Sequence, residues 1–132
     1  MHEFYFHPLF IHFPIALFFL EILLLFLWVW KHKESYRDFA FFSFKIAFAF
    51  LLVSMVSGFI DADGWSHIRG AVRTHFFSAV AVLILSAGRA AAWRKIRRGE
   101  GPRPGVFLLT ACAVYLVIVL TGYLGGLLVY KF

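Results

Sequence analysis

Residues 8–30 read PLFIHFPIALFFLEILLLFLWVW, and this stretch decides the fold class. It is 23 residues long and carries one acid, Glu21, and no basic residue other than His12. About 20 apolar residues in a helix cross the ~30 Å hydrocarbon core of a bilayer. Three similar runs follow, at 39–60, 74–93 and 105–130. Hydrophobic residues make up 62% of the 132-residue chain and the mean hydropathy is +0.83, which separates it from soluble domains. The expectation is an all-α integral membrane protein. Residues 1–132 form a single domain, an antiparallel up-down bundle of four transmembrane helices. The connections, at 31–38, 61–73 and 94–104, are too short for a soluble catalytic domain.

The net charge of +6 reads as topology. Lys31, Lys33 and Arg37 fall in the first connection, and Arg94, Lys95, Arg97, Arg98 and Arg103 in the third. The other side has Arg69, Arg73 and Lys131. Basic residues gather on the cytoplasmic side, so both termini and the 61–73 connection are expected outside the cytoplasm. Basic clusters are common beside membrane spans, and no nucleic-acid role is expected. The N-terminus has no basic region ahead of its apolar run, so it does not read as a cleavable signal. Cys112 is the only cysteine; it allows no intrachain disulfide and no CxxCH attachment of haem, and reads as a packing residue.

Four histidines converge on the outer level. His7 and His12 open the first span, His67 lies in the second connection, and His75 opens the third span. A histidine near hydrocarbon needs a partner, and two facing each other across a bundle can hold haem. His7 and His12 are about 140° apart on a continuous helix, so they do not share a face. His12 with His75 is the first choice of axial pair. His7 and His67 are then candidates for a second haem, for propionate contacts or for a quinone. Pro14 removes one helical hydrogen bond beside His12; it either reshapes a pocket wall or is simply tolerated in a membrane helix.

Near the outer end of the fourth span, Gly122, Gly125 and Gly126 leave room either for a planar cofactor or for close helix packing. Gly58 adds a small residue on the second span. Arg69 and Arg73 suit haem propionates, or the acids Asp61 and Asp63 of the same connection. Two charges fall deeper, Glu21 and Lys45. Their depths match, so an ion pair is expected, with a proton relay at Glu21 as the functional alternative. Arg89, one turn from Trp93, is expected to snorkel to the cytoplasmic surface. Trp28, Trp30, Tyr36 and Trp93 are expected at the cytoplasmic interface, and Tyr5, Trp65 and Tyr130 at the outer one.

The opening His7-Pro8-Leu9-Phe10-Ile11-His12-Phe13-Pro14-Ile15-Ala16-Leu17 resembles the HPxxVHFPIAL signature of the bacterial membrane family called domain of unknown function 2231. Gly122-Tyr123-Leu124-Gly125-Gly126-Leu127-Leu128-Val129-Tyr130 is similar to its GWLGGxLVY ending, with Tyr123 in place of Trp. Ser57-Gly58-Phe59-Ile60-Asp61 resembles its small-Gly-hydrophobic-Asp segment, and His75 matches a histidine that opens the third helix. His67 has no counterpart in the pattern. The resemblance spans essentially the whole chain. It implies four membrane helices of the bacterial inner membrane and, because some members are fused to Rieske-type iron–sulfur domains, electron transfer with bound haem.

The resulting expectation is a b-type cytochrome-like subunit with one or two haems. It would exchange electrons with quinone or with a Rieske-type or multihaem cytochrome partner, within a larger respiratory complex. Two other classes stay open: a membrane protein binding a bare metal ion through the same histidines, and an accessory subunit without a cofactor.

Overall fold

A computed structural model shows four helices in chain order: α1 (Phe6–Lys31), α2 (Glu34–Asp61), α3 (Gly70–Arg97) and α4 (Pro104–Tyr130). It describes residues 6–61 and 70–130, with side chains given for 12–59 and 73–124. Each helix contains a stretch long and apolar enough to cross a membrane: His12–Lys31, Glu34–Phe59, Arg73–Arg97 and Pro104–Leu124.

The helices run past the apolar runs at the end that carries the first and third connections. The first connection shrinks from an expected eight residues to His32 and Lys33. Polar residues from Glu34 to Asp38 continue α2, with Arg37 bridging Glu34 one turn back and Asp38 beside it. His32 makes the reversal possible. It adopts the left-handed conformation (φ 57°), and its N–H bonds the Trp28 carbonyl at 2.8 Å, closing α1.

Gly99 (φ 77°) closes α3 in the same way. Its N–H bonds the Ile96 carbonyl, and the Glu100 N–H bonds that of Lys95, the paired pattern of a Schellman cap. Gly101 lies against the capped turn, where a Cβ would come within 2.8 Å of the Ile96 backbone.

Side-chain contacts give the register. Phe13 stacks on Phe50, Phe18 meets Phe44 edge-on, and the Ser43 hydroxyl donates to the Leu17 carbonyl at 2.7 Å. These pairs make α1 and α2 antiparallel. Phe19 on Tyr115, and Ile15 against Gly122, do the same for α1 and α4. Arg89 against Phe44, and Arg97 against Phe41, do so for α2 and α3, and Trp93 meets Phe107 where α3 ends and α4 begins. The most extensive packing is α1 on α2, followed by α3 on α4 and α1 on α4; α2 on α3 is the thinnest side of the ring.

Buried positions recur every four and three residues, the spacing that keeps one stripe of a helix turned to a bundle axis. On α1 they are Pro14, Phe18, Glu21 and Leu25; on α3, Val82, Ser86, Arg89, Trp93 and Ile96; on α4, Phe107, Ala111, Val114, Ile118 and Thr121. The opposite faces expose large apolar side chains such as Ile84, Leu109 and Leu116. Such a surface is stable against acyl chains and not against water.

Candidate functional site

Polar side chains gather at two levels of the bundle. The first is a buried charged cluster in the half of the bundle nearer the first and third connections. Glu21 is 0% exposed, and Arg89 meets it with both terminal nitrogens, each 2.7 Å from a carboxylate oxygen. The Trp93 indole N–H donates to the same carboxylate at 2.8 Å. Glu21 stands on α1, and Arg89 and Trp93 stand one turn apart on α3, so three groups converge from two diagonal helices. The other two helices close the sides. The Arg89 guanidinium lies between the rings of Phe44 on α2 and Phe107 on α4, 5.1 and 5.0 Å from their centres. The ring faces are electron-rich, so they replace part of the hydration the cation gives up.

This arrangement corrects three expectations. Glu21 does not pair with Lys45. Lys45 is exposed and lies over the rings of Phe41 and Phe42 on its own helix. Depth matched, but Lys45 falls off the buried stripe of α2, between Phe44 and Ala47. Arg89 does not snorkel to the surface; it sits four residues from Trp93 on the buried stripe and turns inward. Trp93 is not an interface residue but is 0% exposed. Trp30 is exposed and Trp28 and Tyr36 are half-buried. Tyr5 and Trp65 lie outside the described residues, as does the side chain of Tyr130. A planar, five-donor guanidinium forks onto a carboxylate, whereas an ammonium cannot, and that geometry favours Arg89 as the buried partner.

The second level is the histidine end. His75 is half-buried on the first turns of α3, and its Nδ1 is shielded from solvent. His12 is exposed on α1. Arg73 is exposed, with its guanidinium 5.5 Å from the Phe77 ring one turn on. Ile15 lies 3.4 Å from where a Cβ of Gly122 would stand, so α1 and α4 pack closely at that glycine. His67 and Arg69 lie outside the described residues, as do Asp61's side chain, Asp63, the side chain of His7 and the surroundings of Gly125 and Gly126. Among the described residues, no three His, Cys, Asp or Glu side chains gather as ligands of a metal ion.

Register relates the histidine-bearing segments. Three residues outward from the Ile15–Gly122 contact lie His12 on α1 and Gly125 on α4. Eighteen residues outward from the Trp93–Phe107 contact lie His75 and, again, Gly125. The direct link between α1 and α3 gives a slightly different level. Fourteen residues outward from Glu21 and Arg89 lie His7 and His75. The two measures differ because long side chains bridge a spread of levels. Both place the start of α3 opposite the His7–His12 stretch of α1.

Four apolar helices, a polar seam sealed from lipid and an apolar outer surface define a multi-pass membrane protein. The chain belongs to the family of predicted membrane proteins DUF2231, which matches residues 4–132. No curated protein and no solved structure matches it.

Proposed function

We propose that this protein binds haem b at the histidine end of the bundle and passes electrons between the membrane and a redox partner. The observation that supports this reading is the spacing of the buried seams. Continued outward by the same alternation of four and three, the α1 seam reaches position 7, the α3 seam position 75 and the α4 seam position 125. Two of these are histidines on parallel helices and the third is a glycine. Position 12 falls between seam positions, in keeping with the exposure of His12. On this spacing His7 becomes the first choice of partner for His75, with His12 second.

The donor chemistry fits the group. Neutral imidazoles are suitable axial ligands, and a glycine admits a planar ring close to a helix backbone. His67 and the guanidinium groups of Arg69 and Arg73 are the candidates for propionate or quinone contacts at the same end. When bound, haem would supply one-electron chemistry; the protein would supply its ligands and a low-dielectric surround.

The same reading places the protein in a bacterial inner membrane, with both termini outside the cytoplasm and a Rieske-type or multihaem cytochrome as electron partner in a larger complex. A reduced-minus-oxidised visible spectrum of the purified protein tests the core of it. Soret and alpha bands that vanish in His75→Ala and His7→Ala are expected. A purified chain without those bands after expression with ample haem would refute the proposal.

A further inference from the structure

We propose that the core on the histidine side of the Glu21–Arg89 pair is a blind, water-bearing half-channel, whose closed inner end is the pair itself. The basis is a division of the seam into two chemistries. Towards the basic end, the Trp93 ring packs on Phe107 and Phe41 and near Phe44, so the rings form a dry plug. Towards the histidine end, buried hydroxyls interrupt an otherwise apolar core of Phe18, Leu51, Val82 and Ile118: Ser86 on α3, Thr121 on α4, and Ser54 and Ser57 on α2, of which Ser57 donates to the Ser54 carbonyl at 2.9 Å.

Three buried polar atoms on that side lack a hydrogen-bond partner among the described residues: Ser86 Oγ, Thr121 Oγ1 and Arg89 Nε. The residues that carry them are 0%, 6% and 5% exposed. Arg89 Nε is a donor only, so it needs an acceptor, and the bonds to Glu21 are made by the two terminal nitrogens and not by Nε. Ser86 lies one turn before Arg89 on the same face of α3, which brings hydroxyl and guanidinium to one side. A buried donor without an acceptor is costly, and buried polar atoms of this kind are the usual partners of internal water.

The ligand class is therefore water, and with water the protons it relays. Glu21, at the closed end, is the group such a file would serve. The inference holds whether or not haem binds. Its structural alternative is a dry core in which each hydroxyl turns to a carbonyl of its own helix.

Water-sized accessibility decides between them. In a Cys112→Ala background, the full chain is placed in vesicles carrying Ser86→Cys, Thr121→Cys, Ala40→Cys or Arg73→Cys. Silver ion, which follows water paths, is the probe, and loss of later maleimide labelling is the readout. Arg73 is exposed, and Ala40 is buried beside the aromatic plug, so they set the two limits. Ser86→Cys and Thr121→Cys are expected to react within about ten-fold of Arg73→Cys, and at least about a hundred-fold faster than Ala40→Cys, if the core is wet. Rates matching Ala40→Cys would overturn the proposal. Should either variant fail to fold, Ala47→Cys, buried on α2 one turn outward from Phe44, reads the same part of the core.

Discussion

Arg89 reaches across the diagonal of the bundle from α3 and places both terminal nitrogens 2.7 Å from the two carboxylate oxygens of Glu21. The adjacent helices, α2 and α4, contribute no charge to this pair; they contribute the rings of Phe44 and Phe107 that face the guanidinium. An ion pair taken out of water stabilises little by itself, because desolvation offsets the attraction. Its importance lies in what a lone survivor costs. Any packing that separates α1 from α3 leaves a bare charge among aromatic rings, so the pair disfavours other arrangements of four similar apolar helices.

Removing one partner should therefore be worse than removing both. Glu21→Gln and Arg89→Met are each expected to destabilise the bundle by about 3–5 kcal/mol, and the double replacement by clearly less. Unfolding in mixed detergent, followed by Trp fluorescence, measures this. Strict additivity of the two single effects would show that the pair is not coupled.

Lys45 gives the matching control. It is exposed and meets only rings of its own helix, so Lys45→Met should change stability by no more than about 0.5 kcal/mol. The Glu21→Gln variant should respond no differently when Lys45→Met is added. A strong interaction between those two substitutions would place Lys45, and not Arg89, at the carboxylate.

The Trp93 indole is the third arm of the site. Trp93→Phe keeps most of the ring packing on Phe107 and removes the 2.8 Å bond to Glu21. A loss of about 1.5–3 kcal/mol is expected, the range for a hydrogen bond to a charged group. The same replacement at exposed Trp30 should leave stability within about 0.5 kcal/mol. Equal effects at the two positions would contradict the burial of Trp93.

Gly99 caps α3 with φ 77°, a conformation that an L side chain adopts only at a cost. Gly99→Ala is expected to destabilise by about 1–2 kcal/mol, although its Cβ would meet nothing within 4 Å. Gly105 is the comparison: a Cβ there also meets nothing, and no positive φ is involved. Gly105→Ala should be neutral or slightly stabilising, by up to about 1 kcal/mol. Thermal unfolding of the two variants separates backbone strain from crowding.

For the proposed haem, the seams rank the histidines. His75→Ala and His7→Ala should each lose most bound haem, whereas His12→Ala should retain at least about half, since His12 is exposed on α1. Haem content per chain in the purified variants is the measurement. Loss in His12→Ala together with retention in His7→Ala would return the axial role to His12.

Sequence by itself determined the class and the helix count. Each 20-residue apolar run must satisfy its backbone internally in lipid, and a helix is the way a single segment does so. It also determined that Glu21 needs a partner, because an acid in the middle of a span has no water to serve it. The identity of the partner belonged to the tertiary structure. Lys45 and Arg89 stand at similar depths, and depth follows from counting residues along a helix. Which face a side chain presents to another helix follows from the buried stripe, and in spans apolar all round the sequence hardly marks that stripe. Only the packed bundle shows that position 89 continues the α3 seam while position 45 leaves the α2 seam. Packing likewise moved Trp93 from the interface, where a tryptophan beside arginines reads naturally, into the core beside the charge it bonds.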